Sequence, residues 1–140
     1  MKLLILGLAD AVNYIPTDLT YAIRIDSELI PFGSDFALQD SDLYTITQYV
    51  FDDRTPHEGD GKLLEEKTAS QLIDDFKHRG LHYDTLLVHC IMAKNRSPAV
   101  GMALNDIFKI GYNLSELQHK YPDANKYIYE TLITAAKKIL

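Results

Sequence analysis

This chain of 140 residues has a single cysteine, no excess of basic residues and no long apolar run. Each shortage removes a class of answer. Cys90 has no second cysteine to pair with, so the fold cannot rest on an internal disulfide, and a reducing compartment would keep the thiol free. Lys and Arg number 14 against 20 Asp and Glu, a net charge of −6. Phosphate-backbone affinity needs clustered cations, so no nucleic-acid partner is expected. The N-terminal apolar stretch from Leu3 to Leu8 is too short to span a bilayer, and it runs into Asp10 without a small-residue cleavage site. It reads as a buried strand, with no membrane partner and a cytoplasmic location expected. Internal repeats, low-complexity segments and linkers are also missing, so residues 1–140 are expected to form a single domain.

What remains is 46% apolar and 24% charged, ordinary for a globular chain. Leu3 to Leu8, Thr20 to Ile25 and Leu43 to Phe51 have the composition of strands. Asp52 to Gly61, with Pro56, Gly59 and Gly61, has no periodicity and reads as a mobile surface loop. Ala69, Leu72, Ile73 and Phe76 recur at helical spacing between Leu63 and Arg79, and Gly80 follows as a stop. Tyr83 to His89 is the best candidate for a central strand. Ser97-Pro98 then starts a helix, with Pro98 expected at the first helical position, where its missing N–H costs nothing. Gly111 ends that helix, a short helical piece lies around Leu114 to Leu117, and a last helix runs from about Asn125 to Lys138. Strands and helices in this order predict an α/β fold with a central, mostly parallel sheet flanked by helices. Ligands of such sheets bind at the carboxyl ends of the strands, where the loops after Phe51 and His89 both begin.

The densest chemistry lies in His89-Cys90-Ile91-Met92-Ala93-Lys94-Asn95-Arg96-Ser97, where the only thiol and a guanidinium are separated by five residues. A strand-to-helix loop of that length can curl into a cup of inward N–H groups, which suits a phosphate. The planar fork of Arg96 matches two phosphate oxygens, and oriented amides at a helix start lower the pKa of a thiol such as Cys90.

This segment matches the His-Cys, five-residue spacer, Arg-Ser signature and so resembles the cysteine-dependent protein tyrosine and dual-specificity phosphatases. The chain is further similar to small bacterial and phage predicted tyrosine phosphatases. Phe51-Asp52-Asp53 after a strand and Asn125-Lys126-Tyr127-Ile128-Tyr129-Glu130-Thr131-Leu132 in the last helix carry that likeness, which covers about Leu43 to the C-terminus. Two positions depart from the pattern. The family usually has glycine where this chain has Ala93, and glycine or serine where it has Asn95. Ala93 is acceptable as long as its position does not require φ > 0, and Asn95 is a mild change.

The resemblance implies a phosphate-monoester hydrolase with a phosphocysteine intermediate and no cofactor or metal. Its partner would be a phosphorylated protein or a small phosphate monoester. Cys90 would be the nucleophile, Arg96 would hold the phosphoryl oxygens, and Ser97 would hydrogen-bond the thiolate. Ile91, Met92, Ala93, Lys94, Asn95 and Arg96 would line the phosphate, with His89 behind them fixing the loop and favouring the thiolate. The leaving group needs a proton from a carboxyl group on another loop. Asp53 is the first choice for that general acid, with Asp52 and Asp60 as alternatives. His57 reads as an exposed loop histidine, and Asn125 and Tyr127 have no evident chemistry beyond helix start and packing. The competing function is a module that binds phosphorylated residues without turning them over.

Overall fold

The computed structural model describes every residue from Met1 to Leu140. Four strands form one parallel sheet in the order β1-β4-β2-β3, comprising β1 (Lys2–Leu6), β2 (Thr20–Asp26), β3 (Tyr44–Val50) and β4 (Thr85–His89). The expected mostly parallel sheet is therefore parallel throughout. The central strands β2 and β4 are buried at every position, successive residues facing opposite sides of the sheet, whereas the edge strands β1 and β3 bury only Leu3 and Thr47. Leu3, Tyr21, Ile23, Ile25, Leu86 and Val88 join a core of 23 buried residues with the helices α2 (Glu66–Arg79), α3 (Arg96–Phe108), α4 (Leu114–Lys120) and α5 (Lys126–Ile139). Ala22 and Leu87, from the intervening positions, meet Ala11 and Leu38 in a smaller cluster on the other face. Ala11 belongs to α1 (Leu8–Asn13). The short helix follows directly on β1, in a stretch whose apolar run reads only as strand. No helix is long and apolar enough to cross a membrane.

Register places the end of β4 at the middle of the sheet. His89 pairs with Leu6 of β1 on one side and with Arg24 of β2 on the other. The residue that follows, Cys90, therefore emerges at the carboxyl edge between two neighbours, the place where parallel sheets collect ligands. The helix after it begins at Arg96 with Asn95 as N-cap, so Pro98 lies inside the first turn rather than at its first residue. Its absent N–H still costs nothing there, because no first-turn amide has an intrahelical acceptor. The stop of α3 also differs from expectation. Lys109, at φ 53°, is its left-handed cap, two residues before Gly111.

Gly80 ends α2 for a reason other than backbone freedom. Its φ is −108°, which any residue adopts, but a Cβ there would sit 2.4 Å from Phe76 Cδ1 and 3.1 Å from Tyr21 Cγ. The Phe76 ring of the same helix, packed beside Tyr21 of the sheet, fills the place of a side chain, so no left-handed turn is involved.

Candidate active site

Cys90 is buried, and its Sγ lies 3.1 Å from Ser97 Oγ. The Ser97 amide donates to the same sulfur at 3.4 Å. A hydroxyl and a first-turn amide of α3 thus converge on the sulfur. Between these two residues, none of the amides from Ile91 to Arg96 donates to a protein acceptor. Amides of buried and half-buried residues such as Ile91, Ala93, Asn95 and Arg96 nearly always have a partner, so their unpartnered run at a helix start suits an anion. The outer wall of the loop is fixed by Leu8, whose amide donates to the Ile91 carbonyl at 2.9 Å. Gly7 lets it approach, since a Cβ there would meet that carbonyl oxygen at 3.1 Å.

The loop interior settles the question posed by its missing glycine. Ala93 has φ 55°, in the left-handed region that alanine tolerates poorly. The position does call for φ > 0, and alanine occupies it under strain. Lys94 turns outward and pairs with Asp123 at 3.7 Å, with both side chains mostly exposed. Met92 is 74% exposed on the rim.

Arg96 is buried, and its Nη1 donates to the carbonyl of Phe51 at 3.0 Å and to that of Asp26 at 3.4 Å. The ends of β3 and β2 thereby orient the guanidinium and leave its Nε and Nη2 edge without a protein acceptor.

The three loop aspartates separate cleanly. Asp52 is buried and accepts hydrogen bonds from the Ser27 hydroxyl, from the Lys62 amide at 2.8 Å and from the Glu28 amide at 3.2 Å. Burial alone would raise its pKa, but these donors and the nearby Arg96 charge outweigh burial and hold it below the usual value. It is an ionised clasp that closes the base of the 52–62 loop, where its own amide also donates to the Lys62 carbonyl at 2.7 Å. That pinned base corrects the picture of a loop free along its length. Asp60 is exposed between two left-handed glycines, Gly59 and Gly61. Nothing ties it to the cysteine loop.

Asp53 is exposed, and its Oδ1 accepts from Asn125 Nδ2 at 2.8 Å. Asn125 is the N-cap of α5, where its Oδ1 accepts from the Ile128 amide. Its backbone amide donates to the Asn95 carbonyl at 3.0 Å. The aspartate loop and the cysteine loop are therefore joined through one residue, and Asp53 also lines a cleft of about 370 Å³ beside Tyr127. His57 lies exposed in the same loop, as its sequence suggests.

Behind the cysteine lies a polar layer that the motif does not announce. Arg24 Nε donates to His89 Nε2 at 2.8 Å, and its guanidinium stands over the Phe32 ring at 4.9 Å. Phe32 in turn stacks on His89 at 5.2 Å between ring centroids. Burial, together with the Arg24 charge, depresses the His89 pKa to about 4. The side chain of Asp26 accepts from the amides of Ser27 and Phe32, which shapes the turn after β2. The available signal for this layer is an arginine in the middle of an otherwise apolar strand, since a buried cation requires partners.

The four-stranded parallel sheet flanked by helices is an α/β fold that solved structures share. It is similar to crystal structures of Tk-PTP, a tyrosine phosphatase. The active form matches with a TM-score of 0.52 at 16% identity, over 94% of this chain and 85% of that one. A mutant form with one glycine replaced by alanine matches with a TM-score of 0.56 at 16% identity, over 99% and 91%. No family model and no curated protein sequence matches the chain.

Proposed function

We propose that the protein is a phosphate-monoester hydrolase that works through a phosphocysteine intermediate, with aryl phosphates such as phosphotyrosine as its substrate class. The observation that carries the reading is the run of unpartnered amides from Ile91 to Arg96, which lies between Cys90 and the Ser97 amide that donates to its sulfur. A structural cysteine needs no such cradle, whereas a phosphoryl group fills it.

In the first step the Cys90 thiolate attacks phosphorus in line, forming the S–P bond as the P–O bond to the leaving group breaks. The protonated Asp53 carboxyl gives its proton to the departing oxygen. Nε and Nη2 of Arg96 bind two phosphoryl oxygens, and the loop amides bind the charge that builds up in the transition state. In the second step water attacks phosphorus, its proton passes to the Asp53 carboxylate, and the S–P bond breaks to release inorganic phosphate. Ser97 Oγ–H then donates to the returning thiolate, which makes sulfur a better leaving group. Asp52 is unsuited to the acid role because its carboxylate is held ionised by donors on several sides.

The test is turnover of phenyl and p-nitrophenyl phosphate by the reduced protein, with Cys90→Ser and Asp53→Ala beside it. Hydrolysis that vanishes in Cys90→Ser, together with acid-trapped phosphoenzyme in the wild type, is expected. Phosphate or vanadate binding without any Cys90-dependent turnover would instead establish a phosphoresidue-binding module.

A further inference from the structure

We infer that Asn125 is the positioning residue of the reaction, setting the Asp53 carboxyl against the phosphate loop. The inference rests on the reading of Asp53 as proton donor. The sequence assigns Asn125 only a helix start and packing, yet its three polar groups face three different elements. Oδ1 caps α5 through the Ile128 amide, the backbone N–H holds the Asn95 carbonyl, and Nδ2 donates to Asp53 Oδ1 at 2.8 Å and to the Arg54 carbonyl at 3.2 Å.

The division of labour within this one residue matters. Asp53 is exposed on a loop, and a carboxyl that rotates freely in solvent is a poor proton donor to a fixed leaving group. The Nδ2 donor occupies Oδ1 and so selects one rotamer. Either protonation state tolerates this contact, because the carbonyl oxygen of the acid and the oxygen of the carboxylate both accept. Oδ2 is left to carry the proton outward in the first step and to receive one in the second. The Arg54 carbonyl contact fixes the backbone that bears Asp53. The amide contact to Asn95 refers the whole arrangement to the loop that holds the phosphoryl group. Asn95 adds a second tie to the same α4–α5 connection, with Nδ2 donating to the Asp123 carbonyl at 2.8 Å.

Asn125→Ser and Asn125→Asp separate positioning from capping. Both side chains keep an acceptor for the Ile128 amide and both keep the backbone N–H to Asn95, but neither offers the amide donor to Asp53. The readout is kcat/KM for phenyl phosphate, whose leaving group needs a proton, against 2,4-dinitrophenyl phosphate, whose leaving group does not. Phenyl phosphate turnover is expected to fall on the order of 10²-fold in both variants. The dinitrophenyl ester should change by about threefold or less, and competitive inhibition by inorganic phosphate should be kept. Combining Asn125→Ser with Asp53→Ala should cost no more than Asp53→Ala alone, because the two act in one step. If Asp53→Ala produces the leaving-group split and the Asn125 variants do not, the positioning role is overturned and the hydrolase reading stands. Equal loss on both esters together with lost phosphate inhibition would also overturn it, by placing Asn125 in the loop framework alone. Absence of Cys90-dependent turnover in the wild type overturns both readings together.

Discussion

Arg24 Nε donates to His89 Nε2 across adjacent strands at 2.8 Å, and this one bond decides the state of the histidine next to the candidate nucleophile. Nε2 must be an acceptor, so the proton sits on Nδ1, which faces the Cys90 carbonyl at 3.3 Å. The imidazole is neutral and steadies the first peptide of the loop. It brings no positive charge to Cys90.

That neutrality has a measurable consequence. In the unfolded chain a histidine titrates near 6.5, whereas in the fold His89 titrates near 4. Above pH 6.5 both states are neutral and the group has no effect on the pH dependence. Between 6.5 and 4 the unfolded state binds a proton that the folded state refuses, so stability falls as pH falls, by up to about 3 kcal/mol. Urea unfolding from pH 7.5 to 5 should show this slope, and His89→Asn should flatten it. A wild-type curve that stays level across that window would count against the buried neutral histidine.

Neighbouring aspartates should fail in opposite ways. Asp53→Ala should lower kcat on phenyl phosphate on the order of 10²-fold or more and leave the melting temperature nearly unchanged, since the side chain is exposed. Asp52→Ala should leave the Ser27 hydroxyl and the Glu28 and Lys62 amides without their acceptor and destabilise the fold by about 2 to 4 kcal/mol. Melting curves and initial rates of the two variants, taken together, check the assignment. If Asp52→Ala melts like the wild type, the clasp is not supporting the loop.

The parallel sheet, the strand that ends at His89 and the loop from Cys90 to Ser97 were legible in the chain because each has a local signature. Apolar runs, a helix start and a fixed thiol-to-guanidinium spacing are short-range features. The roles of Asp52 and Asn125 were not legible, because each depends on partners far along the chain. Asp52 meets Ser27, 25 positions away, and Asn125 meets Asp53 at a separation of 72. Composition marks both as ordinary loop and cap residues, and only packing tells a buried clasp from an exposed acid. The α1 helix was hidden for a related reason. Its first residue, Leu8, belongs to the same apolar run as β1, so periodicity gives no boundary between them.

Ala93 offers a gain rather than a loss. An alanine at φ 55° carries a cost that glycine avoids, and the residue lies outside the buried core, so that cost outweighs the loss of one methyl group. Ala93→Gly should stabilise the protein by about 0.5 to 1 kcal/mol, after allowing for the greater freedom of glycine in the unfolded chain. A rise in the urea midpoint without a change in slope is the expected result. A lowered midpoint would mean that the residue is not held in the left-handed region.

Ser97 tests the second half of the chemistry separately from the first. Its Oγ is 3.1 Å from Sγ and its amide 3.4 Å, and a substitution to alanine removes only the hydroxyl contact. In the proposed mechanism, formation of the phosphocysteine needs the sulfur nucleophile and a proton for the leaving group from Asp53, and the substitution removes neither. Breakdown needs sulfur to depart with negative charge, and there the hydroxyl donor counts most, since a hydrogen bond to a charged group contributes about 1.5 to 3 kcal/mol, or roughly 10- to 100-fold in rate. Ser97→Ala should therefore keep a burst of p-nitrophenol that matches the enzyme concentration while the steady-state rate falls by about that factor. Stopped-flow traces that lose the burst, or that slow in both phases equally, would place Ser97 in formation of the intermediate instead.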